Sequence, residues 1–191
     1  VQEKAGGFIL KSELGYFNKA FADPERPFIA VFGGAKVSTK MKAIKNVGTR
    51  ADKIIVGGAM ANTFFAAMGY GVGKSLYEQQ EIPTAQEAEE WLRSNNCELF
   101  LPLDVVVAPE LKSGVPTKVV PVNAIPEDML ALDIGPQTIK LFADALQDAK
   151  TIIWNGPMGA FETEEFSAGT YGVVDALAAR FAVVRPRPAV I

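Results

Sequence analysis

The stretch Phe28-Ile29-Ala30-Val31-Phe32-Gly33-Gly34-Ala35-Lys36-Val37-Ser38-Thr39-Lys40 decides the fold. Its first five residues are apolar without polar alternation, which is how a strand reads when both faces of a parallel sheet are covered. Two glycines end the strand, and a helix is expected from Ser38 to Val47. The pattern recurs at Ile55-Val56-Gly57-Gly58-Ala59, a second strand ending in Gly-Gly-Ala.

Outward from this stretch, short apolar runs alternate with amphipathic segments of helical length, the pattern of βα units. Strands are expected at Phe28 to Phe32, Lys53 to Val56, Glu98 to Leu101, Lys118 to Val122 and Thr151 to Trp154, with a weaker one at Phe181 to Val184. Helices are expected at Ser12 to Phe21, Ser38 to Val47, Met60 to Met68, Thr84 to Asn95, Pro136 to Leu146 and Thr163 to Arg180. Pro136 suits a first helical turn, and Thr163 is a candidate N-cap followed by two glutamates that favour the dipole. Between Leu103 and Ile134 the prolines at 109, 116, 121 and 126 interrupt short apolar runs, so this part reads as loop and edge-strand. The expected class is α/β: a doubly wound, Rossmann-like, mainly parallel sheet with helices on both faces.

With 191 residues, 49% hydrophobic and 21% charged, the composition is that of a globular protein. Nineteen Lys and Arg against 22 Asp and Glu exclude a general binder of nucleic acid or anionic membrane, which needs a basic excess. Cys97 is a single cysteine with no internal partner, and a reducing, soluble compartment is expected. The absence of histidine excludes histidine triads and zinc hydrolases. The chain opens at Val1 without a signal-like apolar core and reads as a processed or excised piece.

Charge is unevenly placed. Residues 33 to 53 carry Lys36, Lys40, Lys42, Lys45, Arg50 and Lys53 against the single acid Asp52. Residues 78 to 98 carry Glu78, Glu81, Glu87, Glu89, Glu90 and Glu98 against Arg93, and read as a solvated helix face. Lys36 and Lys40 fall at a helix N-terminus, which favours anions, so two cations there are a liability unless something negative binds between them. On this view a phosphate repairs the mismatch, and removing either lysine costs the fold nothing. Gly33 and Gly34 would let backbone N–H groups approach an oxyanion closely. A glycine turn with two solvated lysines is the structural alternative. A third small-residue turn, Asn155-Gly156-Pro157-Met158-Gly159, follows the strand at 151 to 154, and three such turns on one sheet edge suggest a shared crevice.

Two motifs are set aside. Gly69-Tyr70-Gly71-Val72-Gly73-Lys74-Ser75 has Met68 where a P-loop needs its first glycine, and it follows a helix. No Gly-x-Gly-x-x-Gly follows a strand, which removes the main support for a nicotinamide oxidoreductase. Asp104 and Asp133 have no pairing spacing for a metal and are expected to be structural caps, so no metal ligand is assigned.

The segment Gly33-Gly34-Ala35-Lys36-Val37-Ser38-Thr39-Lys40 resembles the nucleotide-binding half of phosphoglycerate kinase. So do Arg26-Pro27-Phe28, Gly57-Gly58-Ala59-Met60-Ala61, Val72-Gly73-Lys74-Ser75-Leu76, Leu101-Pro102-Leu103-Asp104-Val105, Leu132-Asp133-Ile134-Gly135-Pro136 and the run Trp154 to Glu162. The resemblance implies a transferase that moves the acyl phosphate of 1,3-bisphosphoglycerate to Mg-ADP, giving 3-phosphoglycerate and ATP in glycolysis. It implies that Lys36 and Lys40 contact the phosphates and the transferring phosphoryl group. Gly34, Ala35, Gly57, Gly58, Leu76 and Leu132 would line the adenosine pocket, while Asn155, Pro157 and Glu162 would contact base, ribose or phosphates. Mg2+ would accompany the nucleotide. A cytoplasmic monomer is implied, an organelle form being the variant.

Departures from the family pattern are Ala59 and Ala131 in place of glycine, Thr39 in place of Asp and Ala160 in place of Val. The family's Gly-Gly-Gly-Asp segment for phosphate and metal is missing after Arg180, where the chain runs to Arg185-Pro186-Arg187-Pro188-Ala189-Val190-Ile191. The N-terminal domain that would bind 3-phosphoglycerate is missing too, so the chain alone is expected not to turn over. The expected organisation is a leading or interdomain helix region at 1–22, a nucleotide-binding domain at 23–184, incomplete at its C-terminus, and an irregular tail at 185–191. A non-catalytic fragment or interaction domain is the competing function.

Overall fold

The computed structural model of the chain describes residues 23–183. The expected helix at Ser12 to Phe21 and the tail at 185–191 lie outside the described residues. Strand β1 (Phe28–Phe32) leads to α1 (Val37–Gly48), β2 (Lys53–Val56), α2 (Ala59–Ala67), α3 (Ile82–Ser94) and β3 (Glu98–Phe100). Then come β4 (Asp104–Ala108), β5 (Lys118–Pro121), β6 (Leu130–Ile134), α4 (Pro136–Leu146), β7 (Thr151–Asn155) and α5 (Ala168–Val183).

Four strands form a parallel sheet in the order β3-β2-β1-β7. The unbroken apolar run of β1 has its predicted cause, because its residues alternate between two cores. Phe28, Ala30 and Phe32 join a cluster with Val37, Met41 and Ile44 of α1 and Phe64 of α2. Ile29 and Val31 join another with Phe142 and Leu146 of α4 and Val173 and Leu177 of α5. Helices therefore cover both faces, and the sheet is doubly wound. The chain moves outward from β1 to β2 and β3, then returns to add β7 on the other side of β1. That reversal is a topological switch point, the place where ligands bind in open parallel sheets.

Three expectations need correction. The segment from Leu103 to Ile134, read as loop and edge-strand, is more ordered than expected: β5 matches the strand expected at Lys118 to Val122, but β4 and β6 were not expected, and the three form a separate antiparallel sheet, ordered β5-β4-β6. Its prolines punctuate the strands without preventing them. Pro121 ends the edge strand β5, while Pro109, Pro116 and Pro126 lie in connections, where a missing N–H removes no ladder bond. The weaker strand at Phe181 to Val184 is also wrong, since 181–183 are the last turn of α5 and Val184 lies outside the described residues. A helix already formed through Leu177-Ala178-Ala179-Arg180 gains one bond per added residue, which outweighs the strand preference of Phe and Val. Thr163 does not cap α5. It precedes a short 3-10 turn at Glu164–Phe166 without a side-chain cap bond, and α5 starts at Ala168.

The antiparallel sheet is tied to α4 through Asp104, which lies in β4 and is 2% exposed. Its Oδ1 accepts the Thr138 N–H at 2.8 Å and the Thr138 hydroxyl at 2.6 Å, and its Oδ2 accepts the Gln137 N–H at 3.1 Å. The carboxylate thus caps the N-terminus of α4, as the sequence reading expected. Asp104→Ala removes this cap and leaves buried donors unpaired. The expected cost is about 2 kcal/mol, read as a lower midpoint in urea at unchanged slope.

Candidate functional site

Three turns meet at the switch point, and their contacts are backbone to backbone. The Gly33 N–H donates to Asn155 O, the Gly34 N–H to Pro157 O and the Gly58 N–H to Met158 O, each at 2.9 Å, while the Met60 N–H donates to Gly34 O at 2.8 Å. Glycine is required here. A Cβ at Gly33 would lie 2.0 Å from Pro157 O, and one at Gly58, whose φ is +65°, would lie 2.6 Å from Gly34 N. The N–H groups of Gly33 and Gly34 are therefore spent on protein carbonyls. They do not form the open oxyanion cradle expected from sequence, and these glycines serve close approach of the turns.

Lys40 lies over this junction. Its Nζ donates to Gly33 O at 2.5 Å and to Asn155 O at 3.3 Å, bridging the ends of β1 and β7. Burial holds its pKa below the usual lysine value. The expectation that removing either lysine costs the fold nothing is revised for Lys40, which contributes a bridge between strands. Lys36 is exposed at the N-cap of α1 without a side-chain cap bond.

The anion demanded by the helix-terminus argument is already supplied from within the chain. Glu78 Oε2 accepts the Ser38 N–H at 2.9 Å and its Oε1 accepts the Ser38 hydroxyl at 2.7 Å, so this carboxylate caps α1 from a distant loop. Burial alone pushes the Glu78 carboxyl up. Hydrogen bonds from Ser38 and Val37 and the charge of Lys36 outweigh it and hold the group below its usual value. Sequence reasoning missed Glu78 by grouping it with the acidic helix. It precedes that helix, and its only local signal was its position two residues after Leu76.

The other predicted residues are distributed around the junction. Gly34, Gly57, Gly58, Asn155 and Pro157 belong to the three meeting turns. Gly58 and Leu132 share a narrow crevice that Asn62, Ala131, Asp133 and Met158 also line. Leu76 is 60% exposed, and Asn62 Nδ2 donates to its carbonyl at 3.0 Å. Ala35 and Glu162 are exposed, and the loop carrying Glu162 is fixed by the Ala160 N–H donating to Leu132 O at 2.8 Å.

Asp133 is 4% exposed and caps α5, its Oδ2 accepting the Gly169 N–H at 2.7 Å and its Oδ1 the Ile134 N–H at 2.9 Å. Both aspartates are thus spent on helix ends. Among the described residues no group of three or more Cys, Asp or Glu side chains is placed to hold a metal ion, so these residues do not fit a protein-held Mg2+. No helix of the described residues is long and apolar enough to cross a membrane.

Comparisons with known proteins agree with one another. The family model described as phosphoglycerate kinase matches residues 1–185. Phosphoglycerate kinase of Desulfosudis oleivorans is 52% identical over 174 residues, which are 91% of this chain and 44% of the relative. That of Moorella thermoacetica is 51% identical over 175 residues, 92% of this chain and 44% of the relative. Among solved structures, phosphoglycerate kinase from Coxiella burnetii superposes with a TM-score of 0.86 at 41% identity, over 91% of this chain and 44% of that one. The enzyme from Pyrococcus horikoshii gives 0.76 at 30% identity, over 89% and 44%. The chain therefore spans less than half the length of the relatives it matches.

Burial pushes the Asp133 carboxyl up to about 7, against opposing hydrogen bonds from Gly169 and Ile134. In the unfolded chain it ionises near 3.8, so between these values the folded state binds more protons. Its contribution to stability is therefore full below about 4, falls as pH rises, and levels off above about 7. Asp133→Asn removes this titration. The melting temperature of the variant relative to the parent should rise from pH 4 to pH 7 and stay constant above; a difference independent of pH would show that Asp133 does not titrate there.

Proposed function

Because the chain belongs to the phosphoglycerate kinase family, we propose that it is the nucleotide-binding part of such an enzyme, taking ADP and ATP at the ends of β1, β2 and β7. The observation that carries this reading is the meeting of three strand-end turns at the switch point of the parallel sheet, two of them, those after β1 and β7, bridged by Lys40. In the whole enzyme the bond between the acyl oxygen and phosphorus of 1,3-bisphosphoglycerate breaks and an oxygen of the ADP β-phosphate takes the phosphoryl group. The products are ATP and the carboxylate of 3-phosphoglycerate. No proton need be carried by a side chain, which suits a chain without histidine.

The roles follow from charge and shape. Lys36 and Lys40 neutralise the phosphates and the charge spread over the moving group. Lys40 has to leave the Gly33 and Asn155 carbonyls to do so, and its partial burial strengthens its pull on an anion. Gly34, Ala35, Gly57, Gly58, Leu76 and Leu132 line the nucleoside surface, and Asn155, Pro157 and Glu162 contact the base, ribose or phosphates. We place the domain at residues 23–184, with residues 1–22 leading into it from a partner domain that binds 3-phosphoglycerate and 185–191 trailing it. A cytoplasmic monomer fits the reading.

One observation favours a non-catalytic role instead. The α1 N-terminus and the glycine N–H groups are already satisfied internally, by Glu78 and by the neighbouring turns. Calorimetric titration with ADP separates the two readings. Binding should be detected, and Lys36→Ala or Lys40→Ala should weaken it roughly tenfold or more. A folded chain that gives no heat with millimolar ADP supports the non-catalytic role.

A further inference from the structure

Several of the buried polar groups among the described residues act on one short segment, Ser75 to Glu78, which belongs to no helix or strand. Asn62, 2% exposed, donates from Nδ2 to Leu76 O at 3.0 Å. Thr63, fully buried, accepts the Glu78 N–H on Oγ1 at 3.1 Å. Ser75, 5% exposed, accepts the Ala131 N–H on Oγ at 2.8 Å, and the preceding Lys74 N–H donates to Met129 O at 2.8 Å. The far end is fixed by the Glu78 carboxylate on Ser38. The segment is thus a strap tied to β6, to α2 and to the tip of α1.

The strap presents one apolar side chain outward. Leu76 is 60% exposed, while Ser75 before it is buried and Tyr77 after it is half-buried. Polar side chains in a core cost free energy unless fully bonded, and Asn and Thr are poor helix formers. In α2 both are accepted at adjacent positions, and both are spent on the strap. Asn62 also lines the crevice shared by Gly58 and Leu132, so the same side chain touches the nucleoside surface and fixes Leu76.

We propose that Asn62 and Thr63 are positioning residues that hold Leu76 as a fixed apolar wall for the nucleoside part of the ligand, leaving the phosphate part to the lysines. The proposal rests on the nucleotide reading above. It separates two contributions that a purely structural role would move together.

The test is titration of ADP and of inorganic pyrophosphate into the chain and into Thr63→Val, Thr63→Ser and Asn62→Asp. Valine matches threonine in shape but leaves the Glu78 N–H without its acceptor, serine keeps that acceptor, and aspartate removes the Asn62 donor. Thr63→Val and Asn62→Asp should weaken ADP roughly tenfold while pyrophosphate stays within about twofold, and Thr63→Ser should bind ADP as the parent does. Unchanged ADP affinity in Thr63→Val, or equal losses for ADP and pyrophosphate, overturns the proposal. Amide hydrogen exchange on the unaltered chain needs no substitution: ADP should slow exchange at residues 76 to 78 and pyrophosphate should not, and equal slowing by both overturns the proposal. Failure of the unaltered chain to bind ADP at all would instead remove the nucleotide reading itself.

Discussion

The absence of a side chain at Gly33, Gly58 and Gly156 lets three backbones touch at the carboxyl ends of β1, β2 and β7. A Cβ at Gly156, whose φ is +94°, would lie 2.6 Å from Gly33 O and 2.8 Å from the Lys40 ammonium. Glycine loses more conformational freedom on folding than any other residue, so three such positions at one place are costly to order. What that cost secures is a junction in which strand ends, helix starts and the Lys40 amine are fixed by main-chain hydrogen bonds. Every other element of the candidate site is measured from it: the crevice to Leu132, the strap bearing Leu76 and the loop bearing Glu162.

Electrostatics at this junction is balanced internally. Carbonyl oxygens at the strand ends take Lys40, and the Glu78 carboxylate takes the N-terminus of α1. An arriving polyphosphate therefore does not fill an empty site. It exchanges with contacts that already exist, and its net gain is the difference between the two sets of bonds.

Much of the parallel sheet was legible because its signals are local and redundant. The continuous apolar runs of β1 and β2 reported burial on both faces, Pro136 marked the start of α4, and Gly-Gly-Ala marked two strand ends. The capping roles of Asp104 and Asp133 were also legible, from their placement beside apolar runs and the lack of a pairing spacing. The antiparallel sheet was hidden because prolines at its turns and strand ends look like breaks when pairing partners are unknown. Glu78, Asn62 and Thr63 were hidden for a different reason: each bonds to a residue 14 to 40 positions away, and no periodicity encodes such a pairing. The glycine turns were located correctly, but their N–H groups appeared available only because sequence does not show which carbonyls face them.

The central strand of the parallel sheet draws its two neighbours from opposite parts of the chain. Lys53 of β2 pairs with Ile29, whereas Thr151 of β7 pairs with Phe28, so one side of β1 is closed early along the chain and the other only after four further strands and three further helices have emerged. Closing so long a loop costs entropy before any contact repays it. During synthesis β1 therefore waits with one flank open, an apolar edge available for pairing with another chain until β7 arrives.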